Sequence, residues 1–174
     1  RWLQRIAGSN ERIAQGRRDA ETLRLPPEIA AFPEKSLNRD LYLWLSALAA
    51  SDVAPEQPWF IRNQIASRTA LERYPGLNAR YRRLVAAHVA ARIAPSAMQP
   101  DEAAQEQATR QALEHPGTVD GLPPLYTLKS KPPQPVLLWL IGSDKLEAGS
   151  RLADPNDNLP PEGSGGNPET AKEA

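Results

Sequence analysis

At 174 residues without a single cysteine, the chain has room for one domain plus tails, and a disulfide framework, a zinc ribbon and a thiol nucleophile are excluded. Its 18 prolines, about twice the usual share, and an apolar fraction of 40% point to a modest core carrying long non-core segments. The net charge of zero hides an asymmetry: residues 1–94 hold 15 Lys and Arg against 9 Asp and Glu, residues 95–143 hold 3 against 5, and residues 144–174 hold 3 against 7.

Trp2, Ile6 and Ile13 recur at helical intervals, so residues 1–20 are predicted as a first amphipathic helix, interrupted by Gly8 and Gly16. This start lacks both an initiator Met and the apolar run of a secretory signal, as expected of a piece excised from a longer protein. LRLPPEIAAFPEKS follows as an extended connector whose Leu23, Leu25, Ile29 and Phe32 are expected to pack on the helices. Ser36 is the expected N-cap of a second helix, with Arg39 and Asp40 in its first turn. Leu37, Leu41, Trp44, Leu45 and Leu48 form a helical stripe, and Tyr42, Leu43, Ala47, Ala49 and Ala50 leave the other side apolar as well. A helix apolar nearly all round is buried. Ten residues from Leu41 to Ala50 are about half of what a bilayer span requires, so this helix reads as the hub of a core rather than a membrane anchor.

WFIRNQIASRTALERYPG reads as a third helix, with Trp59, Ile61, Ile65, Thr69 and Tyr74 as its inward side and Tyr74-Pro75-Gly76 as its stop. In the fourth, Leu77, Tyr81, Leu84, Val85, His88, Val89 and Ile93 mark one face, while Arg80, Arg82, Arg83 and Arg92 lie largely off it. The fifth starts at Pro100 with Asp101 and Glu102 at its positive end, and stops at His115-Pro116-Gly117. Its small-residue face of Ala104, Ala108, Ala112 and Leu113 places it at the periphery. Beyond residue 117 the prolines forbid regular helix. VLLWLI, residues 136–141, is the one strand-like run, expected either to pair with something outside the chain or to lie on the helices as an apolar strap. The expected architecture is therefore mainly α: a bundle of about five helices over residues 1–116, a Pro-rich extended strap with one short strand over 117–141, and a disordered acidic linker over 142–174.

No phosphate loop, dinucleotide fingerprint or nucleophile elbow occurs. His88 on an apolar helix face reads as a buried imidazole, and His115 at a helix end as a charge–dipole contact, since neither has a companion at metal-ligand spacing. Asp52 with Glu56 and Asp101 with Glu102 stand at helix starts, where carboxylates are expected without catalysis. No catalytic, metal or cofactor residue is assigned, and the chain is read as a non-enzyme. Arg62, Arg68, Arg73, Arg80 and Arg83 form the candidate partner-binding surface, able to hold phosphates, an acidic partner or the chain's own acidic tail. Nucleic acid is disfavoured because the Trp and Tyr residues are assigned to the core rather than to stacking. An anion- or nucleic-acid-binding domain using the Arg face is kept as the alternative.

LRLPPEIAAFPEKSLNRDLYLWLSALAA, then WFIRNQIASRTALERYPGLNARYRRLVAAHVAARI, then GLPPLYTLKSKPPQPVLLWL resemble the N-terminal region of the nitric oxide reductase activation protein D family. Relatives of that family include rubisco-activation proteins carrying a von Willebrand factor A domain. The resemblance spans about residues 1–140 and implies a cytoplasmic accessory protein working with a MoxR-type AAA+ ATPase to activate a target enzyme, here nitric oxide reductase. In that family a von Willebrand domain binds a divalent metal through Asp-x-Ser-x-Ser. That motif is absent from these 174 residues, so no metal ligand is carried over. The resemblance leaves a helical docking module, with the von Willebrand domain as a further partner if the chain is a fragment.

Overall fold

The computed structural model describes residues 16–18, 22–26, 29–127 and 129–142. Among them run four helices: α1 (Lys35–Ala50), α2 (Trp59–Arg73), α3 (Asn78–Ala91) and α4 (Pro100–Glu114). Single 3-10 turns, Pro75–Leu77 and Pro95–Ala97, lead into α3 and α4. The fold is mainly α, as the periodicity predicts. Most of the first helix expected over residues 1–20, and the tail from residue 143, lie outside the described residues. The end of that expected helix is different: Arg17–Arg18 is a strand, β1. It pairs antiparallel with β2 (Leu23–Arg24) and parallel with β3 (Ile141–Gly142), giving the order β2-β1-β3. Gly16 sets the close approach. A Cβ there would lie 2.9 Å from Leu140 Cδ2 and 3.0 Å from Leu25 Cδ2, so the bare backbone lies flush on the core.

α1 is the hub. Leu41, Trp44, Leu45 and Leu48 are at most 2% exposed, and the Trp44 ring lies 4.3 Å from that of Tyr81 on α3. Burial is confined to one side of the helix, however. Tyr42 and Leu43 keep 45% and 41% of their surface, because the other helices pack on the Leu41–Leu48 stripe and leave the rest of α1 to solvent. The expected Ser36 cap is also replaced. The helix begins at Lys35 without a side-chain cap, and Asn38 instead reaches back to Phe32, accepting its N–H at 2.7 Å and donating to its carbonyl at 2.8 Å.

The inward side of α2 is not the apolar one that spacing suggests. Phe60, Asn63, Gln64, Ala66, Ser67 and Ala70 are buried, whereas Trp59, Ile61, Ile65 and Thr69 are half-buried and Tyr74 is exposed. α4 behaves likewise: Gln105, Glu106 and Thr109 turn inward beside the fully buried Ala112 and Leu113, so this helix is less peripheral than its small residues imply.

One cause in α2 is the segment Val136–Leu140, which Asn63 serves. It is at most 6% exposed and lies across the helices as the expected apolar strap, with Trp139 edge-on to Trp59 and Phe60 at 5.3 and 5.4 Å. Regular pairing is limited to Ile141–Gly142, and its partner is β1 of the same chain rather than something outside it. Buried backbone without a ladder still needs partners. Polar side chains supply them. Asn63 accepts the Leu140 N–H at 2.9 Å and donates to its carbonyl at 3.0 Å, which also receives the Trp59 indole N–H. Trp44 donates to the Leu138 carbonyl at 2.8 Å. Gln64 does similar work on the chain leaving α4, accepting from the N–H groups of Gly117 and Val119 and donating to the Val119 carbonyl.

Candidate functional site

An open groove of about 530 Å³ lies between α1 and α3, lined by Ser36, Arg39, Asp40, Ala79, Arg80 and Arg83. Asp40 forms its floor, with a side chain 6% exposed, and one carboxylate receives both cations: Arg80 Nη1 at 3.0 Å and Arg83 Nη2 on the other oxygen. Arg80 and Arg83 are i, i+3 neighbours, which is why a single acid on α1 reaches both. Their side chains remain 45% and 61% exposed, so the pairing orients the guanidinium groups without consuming their donors. Arg39, exposed and without an ion pair among the described residues, adds a third positive charge.

Of the five arginines singled out by sequence, the structure brings together Arg80 and Arg83. Arg62 grips Asp52 with two nitrogens, at 2.6 and 3.0 Å, and Arg73 donates to the Ala50 carbonyl at 3.0 Å, both at the far end of α1. Ten residues of helix, about 15 Å, separate Asp40 from that end. Arg68 is exposed, its Nη1 3.1 Å from where a Cβ on Gly117 would stand. Spacing alone did not point to Arg39, Asp40 and Ser36, because they occupy a helix's first turn, where polar residues are unremarkable.

Arg92 is no surface charge. Its side chain is fully buried and clasps Glu106 of α4 through two nitrogens at 2.7 and 2.8 Å. It also donates to the Pro135 carbonyl at 2.7 Å and lies 3.1 Å from His88 Nε2. Arg110 adds a second cation to Glu106 at 2.8 Å, and Gln134 bridges Glu106 to the Ile93 N–H. Burial, and after it the charges of Arg92 and Arg110, push the His88 imidazole down to about 3. His88 is thus the buried neutral ring expected from its position, with Nε2 accepting from Arg92 and from the Leu137 N–H. Asp101 and Glu102 do structural work too. Asp101 accepts from Ser130 Oγ at 2.7 Å and from the N–H groups of Tyr126 and Thr127, while Glu102 accepts from the Lys131 N–H. Among the described residues no group of three or more His, Cys, Asp or Glu is placed to hold a metal ion, and no helix is long and apolar enough to cross a membrane.

No family model and no solved structure matches the chain. Among curated proteins it is 40% identical over 153 residues, 88% of its length, to an uncharacterized protein of Pseudomonas aeruginosa. It is 39% identical over 144 residues, 83% of its length, to Protein NorD of Stutzerimonas stutzeri, and 45% identical over 100 residues, 51% of its length, to Protein NorD of Brucella abortus. The matches span 24%, 23% and 16% of those three relatives, so the chain corresponds to about a quarter of their length or less. These likenesses make the chain an N-terminal NorD-family region, and it is to this family that it belongs.

Proposed function

We propose that this chain is a non-catalytic docking module of a denitrification-related accessory protein, and that it acts on the cytoplasmic side with a MoxR-type AAA+ ATPase in the activation of nitric oxide reductase. The observation that carries this reading is the kinship to proteins named NorD over most of the chain. The geometry is in keeping with it. Ionisable groups that could do chemistry, among them Asp101, Glu106 and His88, are engaged in fastening the loops and the strap, while the Arg-lined groove is open and presents oriented donors. Helical domain and strap would dock as one unit, since they share a core. The test is co-purification of the tagged 174-residue chain with the ATPase and with the reductase, each expressed alongside it. Retention of either is expected; retention of neither overturns the reading.

A second reading, anion or nucleic-acid binding, draws on the same three arginines. Capture of polyphosphate or single-stranded DNA by the chain, weakening steeply from about 50 to 200 mM salt, is what this second reading expects.

A further inference from the structure

We infer that the α1–α3 groove is the receptor for an acidic peptide segment of a partner protein, one that presents carboxylates to Arg39, Arg80 and Arg83 and an apolar side chain to Leu43. The inference rests on the docking reading and names the chemistry of the partner.

Three observations carry it. First, the groove is electropositive in a directed way. Asp40 neutralises one of three cations and is itself buried under Arg80 and Arg83, so the remaining donors point outward from a fixed base. Guanidinium forks held in this manner match carboxylates in two-point contacts and lose little freedom on binding. Second, an exposed apolar side chain stands just beyond the polar lining of the groove. Leu43 stands three residues from Asp40 and four from Arg39, hence on the next turn of the same helical face, and it is 41% exposed. An occupant that satisfies this face combines negative charge with an apolar side chain about one helical turn away. A peptide does so and a bare phosphate does not. Third, aromatic rings, which a single-stranded nucleic acid uses for stacking, are absent from the described residues that line the groove.

The experiment measures binding of the 174-residue chain to a fluorescein-labelled synthetic peptide of alternating glutamate and leucine, by polarisation at about 0.15 M salt. Arg39→Glu is the principal variant, because Arg39 is exposed and its replacement leaves no buried acid unpaired. It should weaken binding about tenfold or more, the size of one lost charge-assisted hydrogen bond. Leu43→Ser should weaken it as well, and Arg68→Glu, away from the groove, should not. Equal affinity for Arg39→Glu and the parent chain overturns the inference. So does equal affinity for a peptide with glutamine in place of glutamate, or capture of polyphosphate or single-stranded DNA without the peptide. Changing the seven acids between Asp144 and Glu173 to their amides tests the chain's own tail as occupant. Unchanged peptide affinity supports a partner segment, and an increase of about tenfold assigns the groove to the tail instead. Should the ATPase or reductase retain Arg39→Glu as well as the parent chain, the inference falls while the docking function stands. Should neither retain the parent chain, the function falls whatever the peptide does.

Discussion

Asn63 does for Leu140 what a neighbouring strand would do, accepting its N–H and donating to its carbonyl from one side-chain amide. Asn63→Ala leaves that buried N–H without its acceptor, and we expect a loss of about 1–3 kcal/mol, read as a lower urea midpoint with an unchanged slope. Glu106 is placed for a larger effect. Among the described residues it is the one acid paired with Arg92 and Arg110, and Arg92 is fully buried. Glu106→Ala should therefore cost about 3–5 kcal/mol, the toll of stranding a buried cation; an unfolding midpoint within error of the parent would refute this account of the clasp. Neither residue announces itself in the sequence. Asn63 meets Leu140 across 77 positions and Arg92 meets Pro135 across 43, and in both cases the partner is backbone, which every residue carries. Trp44 and Leu48 are different, because an apolar side chain repeated at helical spacing states its own burial.

At the scale of elements, the start of α4 shows how a local signal is read correctly and incompletely. Asp101 and Glu102 sit in the first turn, as the helix dipole favours, but they also hold the Pro-rich loop that follows the helix. The Ser130 hydroxyl above all favours the ionised carboxylate; desolvation opposes it, and the N–H groups of Tyr126, Thr127 and Glu102 add to it, bringing Asp101 down to about 2. A carboxyl depressed on folding stabilises the native state above its ordinary 3.8 and loses that contribution as pH falls toward 2. Asp101→Asn should leave the helices intact and speed amide exchange at Tyr126 and Thr127, measured by hydrogen–deuterium exchange. Unaltered exchange there would show that the prolines alone hold the loop. The opposite failure of local reading occurs in α2, where Ile61, Ile65 and Tyr74 suggested an inward face and Asn63, Gln64 and Ser67 occupy it. Hydropathy ranks side chains by transfer from water and is blind to carbonyls and N–H groups awaiting a partner.

For the whole molecule, the dominant acid-side liability is His88. Its imidazole falls from 6.5 to about 3 on folding, so between these values the unfolded chain binds the extra proton. Stability from this group is complete above pH 6.5 and declines as pH falls through the window, by about 1.4 kcal/mol per unit. Urea midpoints taken from pH 7 to pH 4 should fall accordingly, and His88→Gln should flatten the profile even where it lowers the midpoint at pH 7. A parent profile flat over that range would contradict the buried neutral ring. The mainly α class and the hub role of α1 were legible, because they rest on apolar periodicity. The three-stranded sheet was not, for strands of two residues carry no period, and Arg17 finds Ile141 only once the helices have brought them together.

That late meeting has a consequence for how the chain is made. Trp44 bonds to a carbonyl 94 residues downstream, and Leu138 and Trp139, among the most deeply buried residues, come after the last described helix. During synthesis the four described helices emerge with the seat of the strap vacant and its apolar walls facing water. The strap cannot seat before residue 140 has been made, and until then the nascent chain is open to the aggregation that slow, non-local folding invites.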